Sequence, residues 1–187
     1  ILILASLNKG ESVFIDLPMI YTQFYLMLED AYMYLNANVI PKRMGSAHRY
    51  LVPYQAFRTI DGYIYVAVFT DEQYFKLCKA LGREDLAMFD TNQKRLENRE
   101  YIVDELQKIF ENNTREYWIK VLSDADVPVA PVLNLAEAFQ RYGNKLVYEV
   151  NGMKYIRFPF NKKESVAPRL GEHTREILHE LGYANDE

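Results

Sequence analysis

The sequence has few of the residues that build disulfides, phosphate-binding loops and metal sites. It contains one cysteine, Cys78, so no disulfide can form within the chain. A reduced cytoplasmic protein is the simplest expectation. The glycines are never clustered as a phosphate-binding loop requires. His48, His173 and His179 have no metal-ligand spacing with Cys78 or with one another. We expect no metal and no permanently bound cofactor.

Long apolar runs and a strong charge excess are also missing. The run Ile1–Leu7 is too short to span a bilayer, and no basic flank precedes it as in a signal peptide. The formal net charge of −4 argues against nucleic acid as the main partner, because phosphate binding needs a basic face. Hydrophobic residues make up 49% and charged residues 26% of the chain, as in globular proteins. We expect a folded protein that binds neither nucleic acid nor membrane.

The first residues resemble the end of a helix. There is no initial Met, and Ile1–Leu7 is followed by Asn8-Lys9-Gly10, which is a helix-terminating signal. The expectation is a buried helix whose beginning is missing. The chain then reads as the interior and C-terminal part of a larger enzyme.

The next segment predicts a strand and one long helix. Ser12–Asp16 is a strand candidate, and Asp16 is also a candidate cap for a helix that runs to about Leu35. Apolar residues recur at helical spacing, so one face should be buried. These residues are Ile20, Phe24, Met27, Ala31 and Leu35. Residues 36–53 contain Pro41 and Gly45 and predict an irregular loop.

Turn and capping signals organise the rest of the chain. The Asp61-Gly62 and Asn151-Gly152 pairs predict two hairpins, and Thr70 with Gln73 predicts a capped helix that ends at Gly82. Further elements are helices near 98–110 and 114–122, an edge strand at 127–132 because of its two prolines, and a short helix after Asn134. The second hairpin should pair 146–150 with 153–158. A polar stretch at 161–171 should precede a last helix that stops at Gly182.

Two local features bear on chemistry. Lys42, Arg43, His48 and Arg49 form a basic cluster that can face an anion. A solvated run of charges is an equally good interpretation. Cys78 lies beside leucines on the apolar side of its helix, which predicts a buried structural thiol rather than a reactive one.

A series of longer segments forms a family pattern. They are Val13-x-x-Asp16; Arg43-x-Gly45 and then Pro53-Tyr54-Gln55-Ala56-Phe57-x-Thr59-x-Asp61-Gly62; Leu77–Leu86, which ends Gly82-Arg83-x-Asp85-Leu86; Asn92-x-x-Arg95-x-x-Asn98-Arg99; Trp118-x-x-x-Leu122 with Val127-Pro128-x-x-Pro131-Val132; and Leu170-Gly171-Glu172-His173-Thr174 with Leu181-Gly182-Tyr183. In this order they resemble the class III CoA-transferases (the CaiB–BaiF family), which include α-methylacyl-CoA racemase.

The resemblance implies an α+β small domain of short antiparallel hairpins and helices, with pieces of a Rossmann-like α/β large domain. Residues 1–35 would end the first pass through the large domain, and 36–52 would be a linker and covering loop. Residues 53–142 would form the small domain, and 143–187 would return to the large one. The family forms interlocked dimers, so a homodimer is expected. Roughly the first half of the family's length would be absent.

The resemblance also implies acyl-CoA chemistry. In the transferases an aspartate attacks the thioester and forms an anhydride, then an aspartyl-CoA thioester, whereas the racemases use an Asp/His pair. That aspartate lies upstream of these residues, and Asp16 is not its counterpart. We therefore expect no catalytic residue in this chain, coenzyme A thioesters and carboxylates as substrates, and no CoA transfer by residues 1–187 alone.

In the formyl-CoA transferases of this family, a glycine-rich stretch before the Pro-Tyr-Gln-Ala-Phe run closes over the acyl-aspartyl intermediate. Its counterpart here is Arg43 with Gly45, Ser46, Ala47, His48, Arg49 and Tyr50. The glycine run is missing, which disfavours a formyl-CoA transferase. Asp71 is a candidate for the acid that supports the racemase histidine, although a first-turn helix acid is the better interpretation.

Three alternatives follow for the function. The chain is part of a CoA-transferase, part of a racemase or dehydratase-like relative, or a non-catalytic dimerisation or binding module. The first two predict that the apolar residues of 1–7 and of the helix at 17–35 are abnormally exposed unless other chain covers them.

Overall fold

A computed structural model describes residues 1–10, 12–157 and 168–183, with the side chains of 144 and 145 excepted. The chain divides into two compact units, Ile1–Tyr50 and Leu51–Glu187. Phe158 and most of the polar stretch predicted at 161–171 lie outside the described residues.

The first unit is built from three short helices. Helix α1 spans Leu2–Lys9 and ends at Gly10, whose φ of 69° is left-handed as its terminating role requires. Helices α2 (Met19–Leu26) and α3 (Leu28–Ala37) are separated by a break at Met27. The prediction of one continuous helix up to Leu35 is therefore wrong.

The predictions for residues 12–16 are also wrong. Residues 12–18 are irregular, without a strand. Asp16 does not cap α2, whose N-cap position is Pro18 and has no side-chain hydrogen bond. A strand is stable only when its backbone is paired, and no strand in the described part of the chain pairs with this segment.

The apolar residues of the first unit are exposed. Phe24 is 56% exposed and Leu35 76% exposed, and Ile3 in α1 is 67% exposed. The prediction of a buried helix face is wrong for this chain by itself. The prediction that these side chains are abnormally exposed unless other chain covers them is confirmed. So many exposed apolar groups normally contact other chain.

The second unit contains a three-stranded antiparallel sheet. Strands β1 (Tyr54–Thr59), β2 (Gly62–Ala67) and β3 (Val129–Val132) lie in the order β1-β2-β3, so the proline-containing strand is at an edge as predicted. Thr59 pairs with Gly62, so the turn residues are Ile60 and Asp61, one position earlier than predicted.

A series of helices connects β2 to β3. They are α4 (Asp71–Ala80), a 3₁₀ helix (Glu84–Met88), α5 (Asn92–Glu97), α6 (Arg99–Phe110) and α7 (Arg115–Asp124). Helix α6 packs against β1, and α7 packs against β2 and β3. The predicted capping box of Thr70 and Gln73 is present. The 3₁₀ helix and α5 were not predicted.

The core of the second unit is aromatic at its centre. The ring of Phe110 lies 5.0 Å from that of Phe57 and 5.3 Å from that of Trp118, centroid to centroid. Trp118 Nε1 donates to the Phe110 carbonyl over 2.9 Å, so the buried indole N–H is satisfied. This core fixes the sheet against α6 and α7.

Helix α8 (Leu135–Leu146) and a second hairpin follow. The capping box of Asn134 and Glu137 starts α8, which is longer than the short helix predicted. Strands β4 (Val147–Val150) and β5 (Met153–Ile156) pair across Asn151-Gly152, both with positive φ as this turn requires. Helix α9 (Thr174–Glu180) is followed by Gly182, as predicted.

The architecture is thus α+β, with short antiparallel hairpins and helices, as the sequence predicted. None of the helices in the described ranges combines the length and apolar character that a bilayer crossing needs.

Arg115 ties the first hairpin to α8. Its backbone N–H donates to Asp61 Oδ1 (2.8 Å), and its guanidinium bonds both carboxylate oxygens of Glu137 (2.7 and 3.2 Å). The φ of 150° at Gly62 favours glycine, and a Cβ added there would lie 3.1 Å from Arg115 Nε, so the arginine side chain would have to shift by a few tenths of an ångström. The Arg115 backbone N–H lowers the pKa of Asp61, and the Arg115 side chain lowers the pKa of Glu137.

This cluster predicts an acid-sensitive stability. A carboxyl group whose pKa is lower in the folded than in the unfolded state stabilises the fold at pH values above its unfolded pKa. This stabilisation is lost as the pH falls through the folded pKa. The urea midpoint, followed by Trp118 fluorescence, should therefore fall between about pH 5 and about pH 3. Glu137→Gln should show a smaller fall, whereas Glu116→Gln, at an exposed position of α7, should behave as wild type. If the urea midpoint fell equally in Glu137→Gln and in wild type, the role of Glu137 in acid sensitivity would be contradicted.

Candidate functional site

The predicted covering loop begins where α3 ends. Asn38 adopts a left-handed φ of 53° and caps the helix, and Pro41 follows within the irregular segment. The Ala47 N–H donates to the Met44 carbonyl over 3.0 Å and closes a turn. Gly45 holds a φ of 61° in that turn, a conformation that favours glycine. Arg43 and Ser46 are exposed on either side of Gly45.

A local hydrogen bond joins His48 to Tyr50. The backbone N–H of Tyr50 donates to His48 Nδ1 over 3.1 Å. In the neutral imidazole the proton therefore lies on Nε2, which is a donor. The two rings also contact edge to face at 6.3 Å, and both side chains are half-buried. These contacts order the end of the loop and define which histidine nitrogen can donate.

Arg49 pairs with an acid that the sequence did not single out. Its Nη2 lies 3.1 Å from Asp30 Oδ1 on α3, and the same nitrogen is 3.5 Å from the Lys42 carbonyl. Part of the basic charge of the loop is therefore neutralised within the first unit. This ion pair attaches the loop to α3 and favours neither an anion site nor a freely solvated charge run at Arg49.

An apolar hollow of about 460 Å³ lies beside this ion pair. Among its described lining residues Asp30 carries the charge, and the remainder are apolar or aromatic. They are Phe24, Met27, Ala31, Tyr34, Leu35 and Pro41. The first unit thus brings the covering loop, one ion pair and an apolar concavity together.

The chain immediately after the loop is held by two side chains of α5. Asn92 Oδ1 accepts the Val52 N–H over 3.2 Å, and Arg95 Nε donates to the Val52 carbonyl over 2.8 Å. Arg95 is 1% exposed, and its Nη1 donates to the Phe89 carbonyl over 3.1 Å. Both backbone polar groups of Val52 are therefore fixed by the Asn92-x-x-Arg95 segment.

Asp71 completes the environment of Arg95. Asp71 Oδ1 accepts from Arg95 Nη2 over 2.6 Å, and the Asp71 side chain is 51% exposed. As the first residue of α4, Asp71 also lies at the positive end of the helix dipole. The pair places the Asp71 carboxylate on a buried arginine in the second unit.

The thiol and phenol under this cluster are buried. Arg95 Cζ lies 4.4 Å from the centroid of the Tyr74 ring, and the Tyr74 hydroxyl donates to the Leu86 carbonyl over 3.1 Å. Burial raises the pKa of the Tyr74 hydroxyl and that of the Cys78 thiol. Cys78 is 1% exposed. The prediction of a buried structural thiol is confirmed.

Sequence reasoning identified the Asn92–Arg99 segment as a pattern but did not assign Asn92 or Arg95 a contact. A local signal for the start of α5 was present at Thr91, the N-cap residue, whose hydroxyl accepts the Lys94 N–H. Within the described ranges no group of three or more His, Cys, Asp or Glu residues is arranged to hold a metal ion.

Comparison with known proteins identifies a consistent set of relatives. A family model described as CoA-transferase family III matches residues 2–174. The succinyl-CoA:glutarate CoA-transferase of Mus musculus is 30% identical, covering 93% of this chain and 44% of that protein. The succinyl-CoA:mesaconate CoA-transferase of Haloarcula marismortui is 30% identical, covering 94% and 48% respectively.

A solved structure has the same fold. The crystal structure of a CAIB/BAIF family protein from Brucella suis matches with a TM-score of 0.75 and 28% identity, over 96% of this chain and 50% of that one. The chain thus spans about half the length of the relatives that it matches.

Proposed function

Because this chain belongs to CoA-transferase family III, we propose that the whole protein transfers coenzyme A between two carboxylic acids. The observation that carries the proposal is the match over residues 2–174 together with relatives named as CoA-transferases. The donor that these names favour is succinyl-CoA, and the acceptor class is a small dicarboxylate such as glutarate or mesaconate.

The proposed reaction uses a nucleophilic aspartate outside residues 1–187. Its carboxylate attacks the thioester carbonyl, the C–S bond breaks, and CoA leaves as a thiolate. The thiolate then attacks the aspartyl carbonyl of the anhydride, which releases the donor acid and leaves an aspartyl-CoA thioester. The acceptor carboxylate reverses these steps and leaves as the new acyl-CoA, which regenerates the aspartate. Atoms balance without a metal or redox cofactor.

In this scheme, residues 43–50 cover the reacting groups and exclude water. The Gly45 turn, the His48–Tyr50 hydrogen bond and the Arg49–Asp30 pair support this role because they give the loop a defined conformation. The missing glycine run argues for acyl groups other than formyl. Asp71 is assigned the structural role of pairing with Arg95 rather than support of a histidine.

The rest of the chain takes the family organisation in this proposal. Residues 53–142 form the small domain, and residues 1–35 and 143–187 belong to a Rossmann-like large domain. The exposed apolar side chains of α1 to α3 support this assignment, because they need further chain to cover them. The protein is an interlocked homodimer in the cytoplasm, where the single cysteine stays reduced.

The test uses protein expressed from its full coding sequence. It is mixed with succinyl-CoA and each of a panel of carboxylates, and the CoA esters are separated and identified by mass. We expect a new acyl-CoA with at least one dicarboxylate and a ping-pong dependence of rate on the two substrates. Absence of any new CoA ester across the panel would refute the proposal, and release of free CoA alone would indicate a hydrolase.

A further inference from the structure

We propose that Asn92 and Arg95 are positioning residues that fix the downstream end of the covering loop through the backbone of Val52. The inference rests on the proposed function for the chemistry that the loop serves. It assigns to the second unit a pair of side chains that hold the chain where it leaves the loop.

The covering loop is joined almost directly to Val52. Leu51 is the single residue between Tyr50, where the loop ends, and Val52. Val52 is 1% exposed, its N–H is bound by Asn92 and its carbonyl by Arg95. The next residue, Pro53, accepts the Val68 N–H at its carbonyl over 3.0 Å. The chain is therefore held on consecutive residues as it leaves the loop.

The Arg95 side chain is held rigidly. Arg95 has three further anchors: the Phe89 carbonyl, the Asp71 carboxylate and the face of the Tyr74 ring. A guanidinium bound at each of its nitrogens cannot change rotamer without breaking several charge-assisted hydrogen bonds at once. Its Nε is thus a fixed donor, and the position of the Val52 carbonyl follows from it.

A fixed loop end affects how much water reaches the reacting groups. A covering loop that excludes water protects reactive acyl intermediates from hydrolysis. If its downstream end is loose, water competes with the acceptor carboxylate, and acyl-CoA plus water gives free acid plus CoA thiol. The clamp that Asn92 and Arg95 form on the Val52 backbone should therefore affect the ratio of hydrolysis to transfer. Because it is a ratio, a smaller amount of folded enzyme does not change it.

The experiment compares Asn92→Ala, Asn92→Asp and Arg83→Met in the protein expressed with its full coding sequence. Asn92→Asp keeps an oxygen that accepts the Val52 N–H. Arg83 pairs with Asp85 and Glu105 in the same unit, whereas the Val52 backbone groups are bound by Asn92 and Arg95, so Arg83→Met controls for general loss of stability. Amide hydrogen exchange of peptides covering 43–52 is measured beside the ratio of hydrolysis to transfer with succinyl-CoA and glutarate.

In Asn92→Ala we expect exchange in these peptides to rise about fivefold, the factor given by loss of one hydrogen bond. The hydrolysis-to-transfer ratio should rise by about the same factor, while Asn92→Asp and Arg83→Met stay near wild type. Exchange in Asn92→Ala equal to that in Arg83→Met would overturn the clamp. Faster exchange with an unchanged ratio would overturn its positioning role. If wild type transfers no CoA, the proposed function fails and hydrogen exchange alone decides the clamp.

Discussion

Replacing Arg95 by methionine is expected to lower the free energy of unfolding by about 3 kcal/mol. Methionine fills part of the space but donates no hydrogen bonds. The Val52 and Phe89 carbonyls then lose a charged donor, and the Val52 carbonyl stays buried. The loss is smaller than for a fully buried ion pair, because Asp71 is 51% exposed and can be hydrated.

The measurement is urea unfolding followed by the fluorescence of Trp118, the single tryptophan. Lys94→Met is the matched control, because it removes a cation from the same helix. Lys94 is 52% exposed and its ion pair with Asp90 lies at the surface, so its loss should cost less than about 1 kcal/mol. If Arg95→Met lowered the free energy of unfolding by no more than Lys94→Met does, the account of the clamp would be contradicted.

Purified residues 1–187 should transfer no detectable CoA from succinyl-CoA to any dicarboxylate. The expected loss is complete because the proposed nucleophile lies outside these residues. The exposed apolar side chains of α1 to α3 give a second reason, since they should make this unit prone to association. The assay is the CoA-ester analysis used for the full protein, at matched molar concentration.

Folding must be checked in the same sample. A cooperative urea transition of Trp118 fluorescence would show that the core around Phe57 and Phe110 has formed. Inactivity of such a folded sample is the predicted result. Turnover by residues 1–187 with acyl-CoA and a free acid would contradict the prediction and would place a catalytic group inside this chain.

Local signals predicted most of the second unit. The Thr70–Gln73 and Asn134–Glu137 capping boxes and the Asn151-Gly152 turn act over two to four residues, so the sequence alone suffices to locate them. The shift of the first turn to Ile60 and Asp61 has a longer-range cause. Asp61 caps the start of α7 by accepting the Arg115 N–H, a partner that no local pattern identifies.

The features missed at the candidate site are long-range contacts. Val52 is 40 positions from Asn92 and 43 from Arg95 along the chain. The Asn-x-x-Arg spacing shows that both side chains lie near one end of a helix, but not what they bind. The pairing of Arg49 with Asp30 was missed for the same reason, because a basic cluster does not reveal which acids the fold brings to it.

The prediction of a strand at 12–16 was wrong for a different reason. A β-rich run forms a strand only beside a partner, and periodicity reports the side-chain pattern without the partner. Likewise, the helical spacing from Ile20 to Leu35 correctly predicted an apolar face. It could not predict that this face would be exposed when the chain is considered by itself.

An isotope-exchange experiment tests CoA transfer most directly. The full protein is incubated in D₂O with unlabelled succinyl-CoA and ¹³C-labelled succinate, so that no net reaction occurs. A CoA-transferase should move the label into the thioester, while the hydrogens next to the thioester carbonyl exchange no faster than in the enzyme-free control. Deuterium uptake at that carbon without label in the thioester would contradict CoA transfer and identify the protein as a racemase-type relative.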